Sequence, residues 1–371
     1  MLTAHDELTC HQFVSTFDHP GTSDRQWTEK LWCNIHDTRG ELVLATGFGV
    51  YPNRNVLDGY GCVTLNNREQ HNIRMSRALR PRIDEISLGP LSYEVVEPYR
   101  KIRIDLGENK YGIGYELEFA GVMSPAEERP QYGRSRGRLY VNTCRYAQLG
   151  RARGRVTVKG KTYDIDEKNF YAQRDHSWGI RMGVGAPEQG VEAPDIEKFT
   201  AMMINWLTAQ FKDWGICCYL IEKNDGSIQY LSGSVVKKLD AGAAPVEIVA
   251  VEHDFEYHPD SQRMKSGRMI FTCAGGEKIE LSMRELTTMY LRGGAYVGYK
   301  GYRHGVYRGE YWEDGESWTV GDPAVADDVH GLDDTVVEIR CGGEVGYGII
   351  ENMLFAPFDR YKISKWGFKP A

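Results

Sequence analysis

Alternation of apolar and polar residues with a period of two is the feature of this sequence that most limits its fold. In the clearest run, Ile102, Ile104 and Leu106 alternate with charged residues, and a second run covers residues 113–119. This period places successive side chains on opposite faces of a β-strand. Few windows hold a helical period over about 11 residues. The best of them, residues 196–212, is rich in aromatic and β-branched residues and suits a buried strand equally well. We therefore predict an all-β protein.

Short polar turns separate many further strand-like runs. Asn224-Asp225-Gly226 is one such turn, in which glycine supplies the positive φ of a tight hairpin. The runs cover residues 42–50, 60–65, 138–142, 155–159, 200–211, 216–222, 228–237, 246–257, 267–273, 277–283, 335–341 and 345–351. They are too many for one closed barrel of about eight strands. We predict two β domains, residues 1–185 and 186–371, joined at the Gly/Pro-rich segment 183–190 and Pro194.

Composition and charge exclude several classes of protein. The chain has 45 basic and 52 acidic residues, a formal charge of -7, which argues against nucleic acid as the main partner. No apolar run approaches the length of a membrane span, and the N-terminus lacks the pattern of a signal peptide. The eight cysteines form no Cys-x-x-Cys pair, which predicts neither a zinc site nor a disulfide framework. We therefore expect a cytoplasmic protein.

Uncommon polar and aromatic residues are concentrated in the segment 170–179. If it is a strand, Arg174, His176 and Trp178 share one face, while Tyr171 and Asp175 lie on the other. An imidazole beside an indole suits proton transfer near neutral pH, with the ring face sheltering positive charge. The alternatives are a structural histidine and an aspartate that pairs with an arginine.

Several ordered blocks resemble the carotenoid 1,2-hydratase-like or AttH-like family of lipocalin-related proteins, which includes allied bacterial proteins of unknown function. The blocks are Arg174–Gly179, Asn205–Asp213 with Asp225-Gly226 and Ser232–Ser234, Tyr311–Glu313, Gly346–Glu351 and, more loosely, Leu31–Asn34 with Asp37 and Gly40. The resemblance implies two lipocalin-like β domains packed together, with a deep apolar pocket near their junction. Relatives of this fold hydrate isoprenoid double bonds, and others direct pericyclic ring closure.

The resemblance also implies roles for individual residues. His176 and Trp178 match the family's histidine and tryptophan, whereas Asn205 stands where the hydratase pattern has an aspartate. An amide cannot donate a proton as a carboxylic acid does, so the reaction need not be the same hydration.

We predict a cofactor-independent lyase or isomerase acting on a hydrophobic terpenoid, polyketide or aromatic molecule, with no metal and no membrane span. The predicted catalytic residues are His176, Asp175 and Asn205, and the predicted substrate-binding residues are Trp178, Tyr171, Trp206 and Arg174. Two alternatives remain: a non-catalytic carrier of an apolar ligand, and a pericyclase that only shapes its substrate. A homodimer stays open.

Other polar groups give weaker signals. The spacing of His253 and His258 argues against a metal site, and the Asp-rich stretch 327–334 around His330 is typical of a solvated loop. Glu313 and Glu351 are either buried acids near the pocket or structural groups, and the sequence does not choose between them.

Overall fold

The structure is a computed structural model that describes residues 2–9, 11, 13–185, 190, 200–258 and 263–364. Within these ranges it contains 22 β-strands and one short α-helix, which confirms the predicted all-β class. Most of the predicted linker, with Pro194, lies outside the described residues. None of the described helices is long and apolar enough to cross a membrane.

The first half of the chain forms a curved antiparallel sheet. Its strands are β1 (Trp27–Asp37), β2 (Leu42–Tyr51), β3 (Val56–Leu65), β4 (Glu69–Ala78), β5 (Ser87–Leu88), β6 (Leu91–Glu97), β7 (Lys101–Leu106), β8 (Ile113–Gly121), β9 (Ala126–Glu127), β10 (Gln131–Ser135), β11 (Arg138–Val158), β12 (Lys161–Ile165) and β13 (Phe170–Arg181). The strand order is β4-β3-β2-β1-β13-β11-β8-β7-β6-β5, with β9, β10 and β12 paired to β11. The sheet curls into a half-barrel, and its concave side holds an apolar core.

The second half forms a closed eight-stranded barrel. Its strands are β14 (Met202–Gln210), β15 (Trp214–Lys223), β16 (Ile228–Lys237), β17 (Val246–Tyr257), β18 (Met264–Cys273), β19 (Lys278–Tyr290), β21 (Asp333–Cys341) and β22 (Glu344–Phe355). They pair in this order, and β22 closes the ring on β14. The helical alternative for residues 196–212 is wrong where the structure describes it, because residues 202–210 are β14.

One strand of the second half belongs to the first sheet. Strand β20 (Tyr311–Trp318) pairs antiparallel with β4 at the edge of the half-barrel. The single α-helix, α1 (Pro323–Val329), follows it and begins at Asp322, whose side chain accepts the backbone N–H of Ala324 at 2.9 Å. The chain therefore crosses to the first sheet and returns to the barrel at β21.

The two units bury apolar side chains against each other. A cluster of buried residues joins the convex face of the half-barrel to the outer wall of the barrel. At its centre, the rings of Trp32 and Trp206 meet edge to face with centroids 5.4 Å apart. This contact fixes the walls of the cavity described next.

Candidate active site

Paired strands β1 and β13 separate two cavities. In their register Leu31 lies opposite His176 and Trp32 lies opposite Asp175. Because side chains alternate along a strand, Leu31 and His176 face the concave side while Trp32 and Asp175 face the barrel. Segment 170–179 therefore has the two faces that its alternation predicted, with His176 on one and Asp175 on the other.

The first cavity lies between the half-barrel and the barrel and has a volume of about 550 Å³. This volume is typical of pockets for small molecules. Its lining is rich in aromatic rings, with a few charged groups. Prominent among the lining side chains are Lys30, Trp32, Arg145, Asp175, Trp206, Tyr219, Tyr296, His304 and Glu351.

A pair of carboxyl groups lies at this interdomain cavity. Asp334 on β21 stands directly opposite Glu351 on β22, and their side chains are hydrogen-bonded. Burial raises the pKa of Glu351 to about 7 and raises that of Asp334 well above its usual range. Two buried carboxyl groups this close cannot both ionise readily, so the pair holds a proton near neutral pH.

The carboxyl pair is tied across the interface. The Asn34 side-chain amide donates to Asp334 Oδ2 at 2.8 Å, and the Gln173 amide donates to Asn34 Oδ1 at 2.9 Å. This chain of hydrogen bonds joins β13 and β1 of the half-barrel to β21 of the barrel. It fixes the orientation of Asp334 and, through it, of Glu351.

A buried lysine lies on the half-barrel side of the same cavity. Burial, with the nearby Arg181, lowers the pKa of Lys30 to about 7. Lys30 Nζ lies 2.5 Å from His304 Nδ1, and His304 Nε2 lies 2.6 Å from the Gly294 carbonyl oxygen. Burial holds the pKa of His304 well below its ordinary value. The neutral imidazole therefore donates from Nε2 to Gly294 and accepts from Lys30 at Nδ1.

An arginine and two carboxylates form a further charged group at the cavity. Arg145 lies 3.2 Å from Asp175 and 3.5 Å from Glu128. Glu128 also accepts the Trp206 indole N–H at 2.7 Å. The ion pairs fix the Arg145 guanidinium, which lies over the Tyr219 ring.

Of the predicted site residues, Asp175 and Trp206 line the interdomain cavity, whereas His176 and Arg174 line the second cavity on the concave side of the half-barrel. The His176 and Trp178 rings are adjacent, with centroids 5.4 Å apart, but the Trp178 side chain is partly exposed. His176 Nε2 contacts Glu29 at 2.8 Å. The structure therefore places His176 and Asp175 at different cavities.

Two further predicted residues lie outside both cavities. Asn205 belongs to the face of β14 that points into the barrel core, and its amide atoms have no hydrogen-bond partner in the described part of the chain. Tyr171 is buried under the Arg151 guanidinium, 3.4 Å from its ring centroid, and beside Tyr347 of the barrel. Tyr171 thus packs at the contact between the two units.

Sequence reasoning missed most of the charged groups of the interdomain cavity. The sequence around Lys30 carries no signal of a site, and the interpretation of residues 327–334 as a solvated loop is wrong at Asp333 and Asp334, which are buried at the start of β21. Asp333 lies 2.5 Å from His330. Of the two glutamates that the sequence does not assign, Glu351 lines the cavity, whereas Glu313 on β20 lies outside it and accepts a hydrogen bond from Tyr311. The sequence signal that points to this site is the pair of adjacent acids, Asp333 and Asp334, at the start of the apolar run of β21.

Among the described residues, no cluster of three His, Cys, Asp or Glu side chains is arranged to hold a metal ion. His253 contacts Glu222 and Tyr361 inside the barrel, and His258 contacts Glu285. These histidines are engaged with protein partners.

The architecture defines a structural class that confirms the resemblance found in the sequence. A crystal structure of a protein from Nitrosomonas europaea assigned as an AttH is similar over 89% of this chain and 93% of that chain, with 11% identity and a TM-score of 0.54. Kievitone hydratase from Nectria haematococca is similar over 92% of this chain and 94% of that chain, with 10% identity and a TM-score of 0.50. CghA in complex with Sch210972 matches over 88% of each chain, with 10% identity and a TM-score of 0.50.

Within this class, the chain belongs to the Family of unknown function (DUF8625), whose model matches residues 2–363. No curated protein sequence matches the chain significantly. The similar solved structures share the fold at an identity too low to transfer an activity.

Proposed function

We propose that the interdomain cavity is the active site of a cofactor-independent lyase or isomerase that adds, removes or relocates a small group, such as water, on a hydrophobic molecule. The observation that carries this proposal is the buried Asp334–Glu351 carboxyl pair at an aromatic cavity. The names of kievitone hydratase and of the CghA complex with Sch210972 agree with chemistry on a small organic molecule in this fold.

Glu351 is the proposed proton donor. A carboxyl group with a pKa of about 7 is largely protonated just below neutral pH, which suits a general acid. In an elimination, it donates its proton to the departing hydroxyl group, which leaves as water. The remaining carboxylate is stabilised by Asp334, which keeps a proton, and by the positive charge of Arg145.

Lys30 is the proposed proton acceptor. Its pKa of about 7 leaves much of the amine neutral near neutral pH, and an amine lone pair can remove a proton from the carbon adjacent to the one that bears the leaving hydroxyl group. The C–H electron pair becomes the new double bond, and solvent then returns the proton from Lys30 to Glu351. The reverse sequence is hydration.

The aromatic walls of the cavity define the substrate class. Trp32, Trp206, Tyr219 and Tyr296 offer ring faces and edges, which favour a flat or isoprenoid apolar body. A weak acid such as Glu351 suits an activated allylic or phenolic substrate. In this proposal Asp175 and Trp206 line the substrate cavity, whereas His176, which lines the other cavity, takes no part in the reaction.

The test is turnover with a matched pair of variants. A panel of isoprenoid, polyketide and phenolic compounds that includes kievitone is incubated with the protein in ¹⁸O-labelled water, and products that gain or lose one water molecule are detected by mass spectrometry. Glu351→Gln keeps the shape of the side chain and should lower kcat by roughly 10² to 10⁴. Glu313→Gln, outside the cavity, should leave kcat unchanged.

Other outcomes decide between the alternatives. If Glu351→Gln and Lys30→Met both retain full turnover while Trp206→Ala abolishes it, the protein acts by shaping its substrate, as the predicted pericyclase would. If an apolar compound copurifies and binds with no turnover by any variant or by the wild type, the protein is a carrier and the proposal fails.

A further inference from the structure

The concave side of the half-barrel contains a second, larger cavity that the proposed reaction does not use. Its volume is about 970 Å³, and the strands β1, β6, β7, β11 and β13 form its wall while residues 13–22 cover it. Apolar side chains dominate the wall, among them Phe13, Phe17, Leu31, Ile102 and Ile180. Strands β1 and β13 separate this cavity from the interdomain cavity.

A buried arginine, Arg174, lies at the wall of this cavity. Arg174 is 4% exposed, and its side chain donates to Gln148 Oε1 at 2.8 Å and to the Tyr146 hydroxyl at 3.0 Å. The Tyr93 hydroxyl is a further neutral neighbour. In the described part of the chain, no carboxylate forms a hydrogen bond or an ion pair with Arg174. Burying an uncompensated charge is unfavourable unless a partner of opposite charge binds.

Other buried arginines of this protein are compensated. Arg74 on β4 is 3% exposed and lies 2.8 Å from Glu316. Arg77 donates to five backbone carbonyl oxygens: those of Ser87, Ala78, Leu79, Arg82 and Glu85. Within the described residues, Arg174 has neither a carboxylate partner nor a set of backbone carbonyl partners, so its surroundings differ from those of the other buried arginines.

The acidic groups around the cavity are engaged elsewhere. Glu29 contacts His176 at 2.8 Å, Asp84 accepts the backbone N–H of Ala4 at 3.1 Å, and Glu85 lies 3.6 Å from Arg82. His5, His11, His19 and His176 are the other titratable side chains of the wall besides its tyrosines. Next to Arg174, the Tyr146 hydroxyl lies 3.3 Å from His176 Nδ1 and can donate to one anionic group when that nitrogen carries its own proton.

We propose that this cavity is a second ligand site for an apolar molecule that carries one carboxylate, with the carboxylate bound to Arg174 and Tyr146 and the apolar body lying along β1 and β7. A carboxylate accepts two parallel hydrogen bonds from a guanidinium, which fits an arginine fixed by Gln148 and Tyr146. Phe13 and Phe17 of the covering segment then contact the apolar body. The site is independent of the reaction proposed for the interdomain cavity.

The test compares two probes that differ only in charge. Dodecanoate and dodecanol are titrated against the full chain in competition with dansyl-labelled undecanoic acid, followed by fluorescence. The wild type should bind dodecanoate at least about tenfold more tightly than dodecanol, as a charge-assisted hydrogen bond requires. Arg174→Met should abolish this preference while leaving dodecanol binding unchanged, and Tyr146→Phe, which keeps the arginine, should reduce it several-fold.

Two further measurements distinguish this site from the interdomain cavity. Glu351→Gln should leave dodecanoate binding unchanged. A diazirine-bearing dodecanoate, which needs no variant, should label the peptide that contains Ile102 on β7 and spare the peptide that contains Met202 and Ile204 on β14. Equal binding of the two probes by the wild type, or labelling confined to β14, overturns the proposal.

Discussion

At the scale of single residues, the most consequential group is Glu351. Its pKa is raised from 4.5 to about 7 by burial, so the folded protein binds its proton more tightly than the unfolded chain does. The stability that comes from this proton is fully present below the unfolded pKa and is lost as the pH rises through about 7.

Glu351→Gln should remove this pH dependence. Between about pH 4.5 and pH 7, the wild type should lose roughly 3 kcal/mol of unfolding free energy relative to the variant. Urea unfolding at a series of pH values measures the difference, with Glu313→Gln as the control. A difference that does not change with pH would show that folding does not raise the pKa of Glu351.

Lys30 should make stability change with pH in the opposite direction to Glu351, and over a higher pH range. Its pKa falls from 10.5 to about 7 on burial, so the folded state binds fewer protons and the wild type gains stability as the pH rises from about 7 to 10.5. The unfolding free energy of the Lys30→Met variant should therefore exceed that of the wild type by the largest amount near pH 7. This advantage should disappear near pH 10. Thermal unfolding at these two pH values tests the sign, and an advantage that grows with pH would contradict it.

The sequence predicts the face of a strand on which a residue lies better than it predicts the pKa or the partners of that side chain. The adjacency of His176 and Trp178 and the opposite orientation of Asp175 followed from the period of two alone. The lowered pKa of Lys30 and the Asp334–Glu351 pair depend on burial by elements distant in the chain. No local pattern contains that information.

At the scale of elements, strands with alternating or continuous apolar residues were predictable, such as β7 and the fully buried β2, whereas β4, whose residues are mostly polar, was not. Strands β7 and β8 alternate clearly, whereas β4 is buried at almost every position and shows no alternation. Strand β20 is polar and lies at the sheet edge, where no apolar face is required. Runs 138–142 and 155–159 belong to one long strand, β11, in which Gly154 adopts a φ of +136°.

Closure of the barrel depends on close backbone contact between β14 and β22. A Cβ on Gly348 would lie 1.8 Å from the Thr208 carbonyl oxygen, whereas a Cβ on Gly343 meets no atom within 4 Å. Gly348→Ala should lower the unfolding free energy by about 2 kcal/mol or more, and Gly343→Ala should change it by less than about 0.5 kcal/mol. Urea denaturation of the two variants measures this, and equal effects would contradict the close contact.

At the scale of the whole molecule, the two units depend on each other. The half-barrel receives β20 from the second half of the chain, and both units bury apolar surface at their contact. The domain boundary near residue 185 stays a prediction, and we expect neither half to fold alone.

Separate expression of residues 1–185 and 200–371 tests this dependence. Fragment 1–185 leaves the edge of β4 unpaired, which favours aggregation, and each fragment exposes its side of the contact. Coexpression should give a soluble complex by size-exclusion chromatography, while each fragment alone should be insoluble or lack a cooperative thermal transition. Two soluble fragments that unfold cooperatively would show that the units are independent.

The central claim is that the two faces of β13 serve different purposes, with acid–base chemistry confined to the side of Glu351. The most direct measurement is kcat of Glu351→Gln and of His176→Gln on the same substrate. We predict a loss of roughly 10² to 10⁴ for Glu351→Gln and a change of less than about threefold for His176→Gln. A large loss for His176→Gln with full activity in Glu351→Gln would contradict the account and move the reaction to the concave cavity.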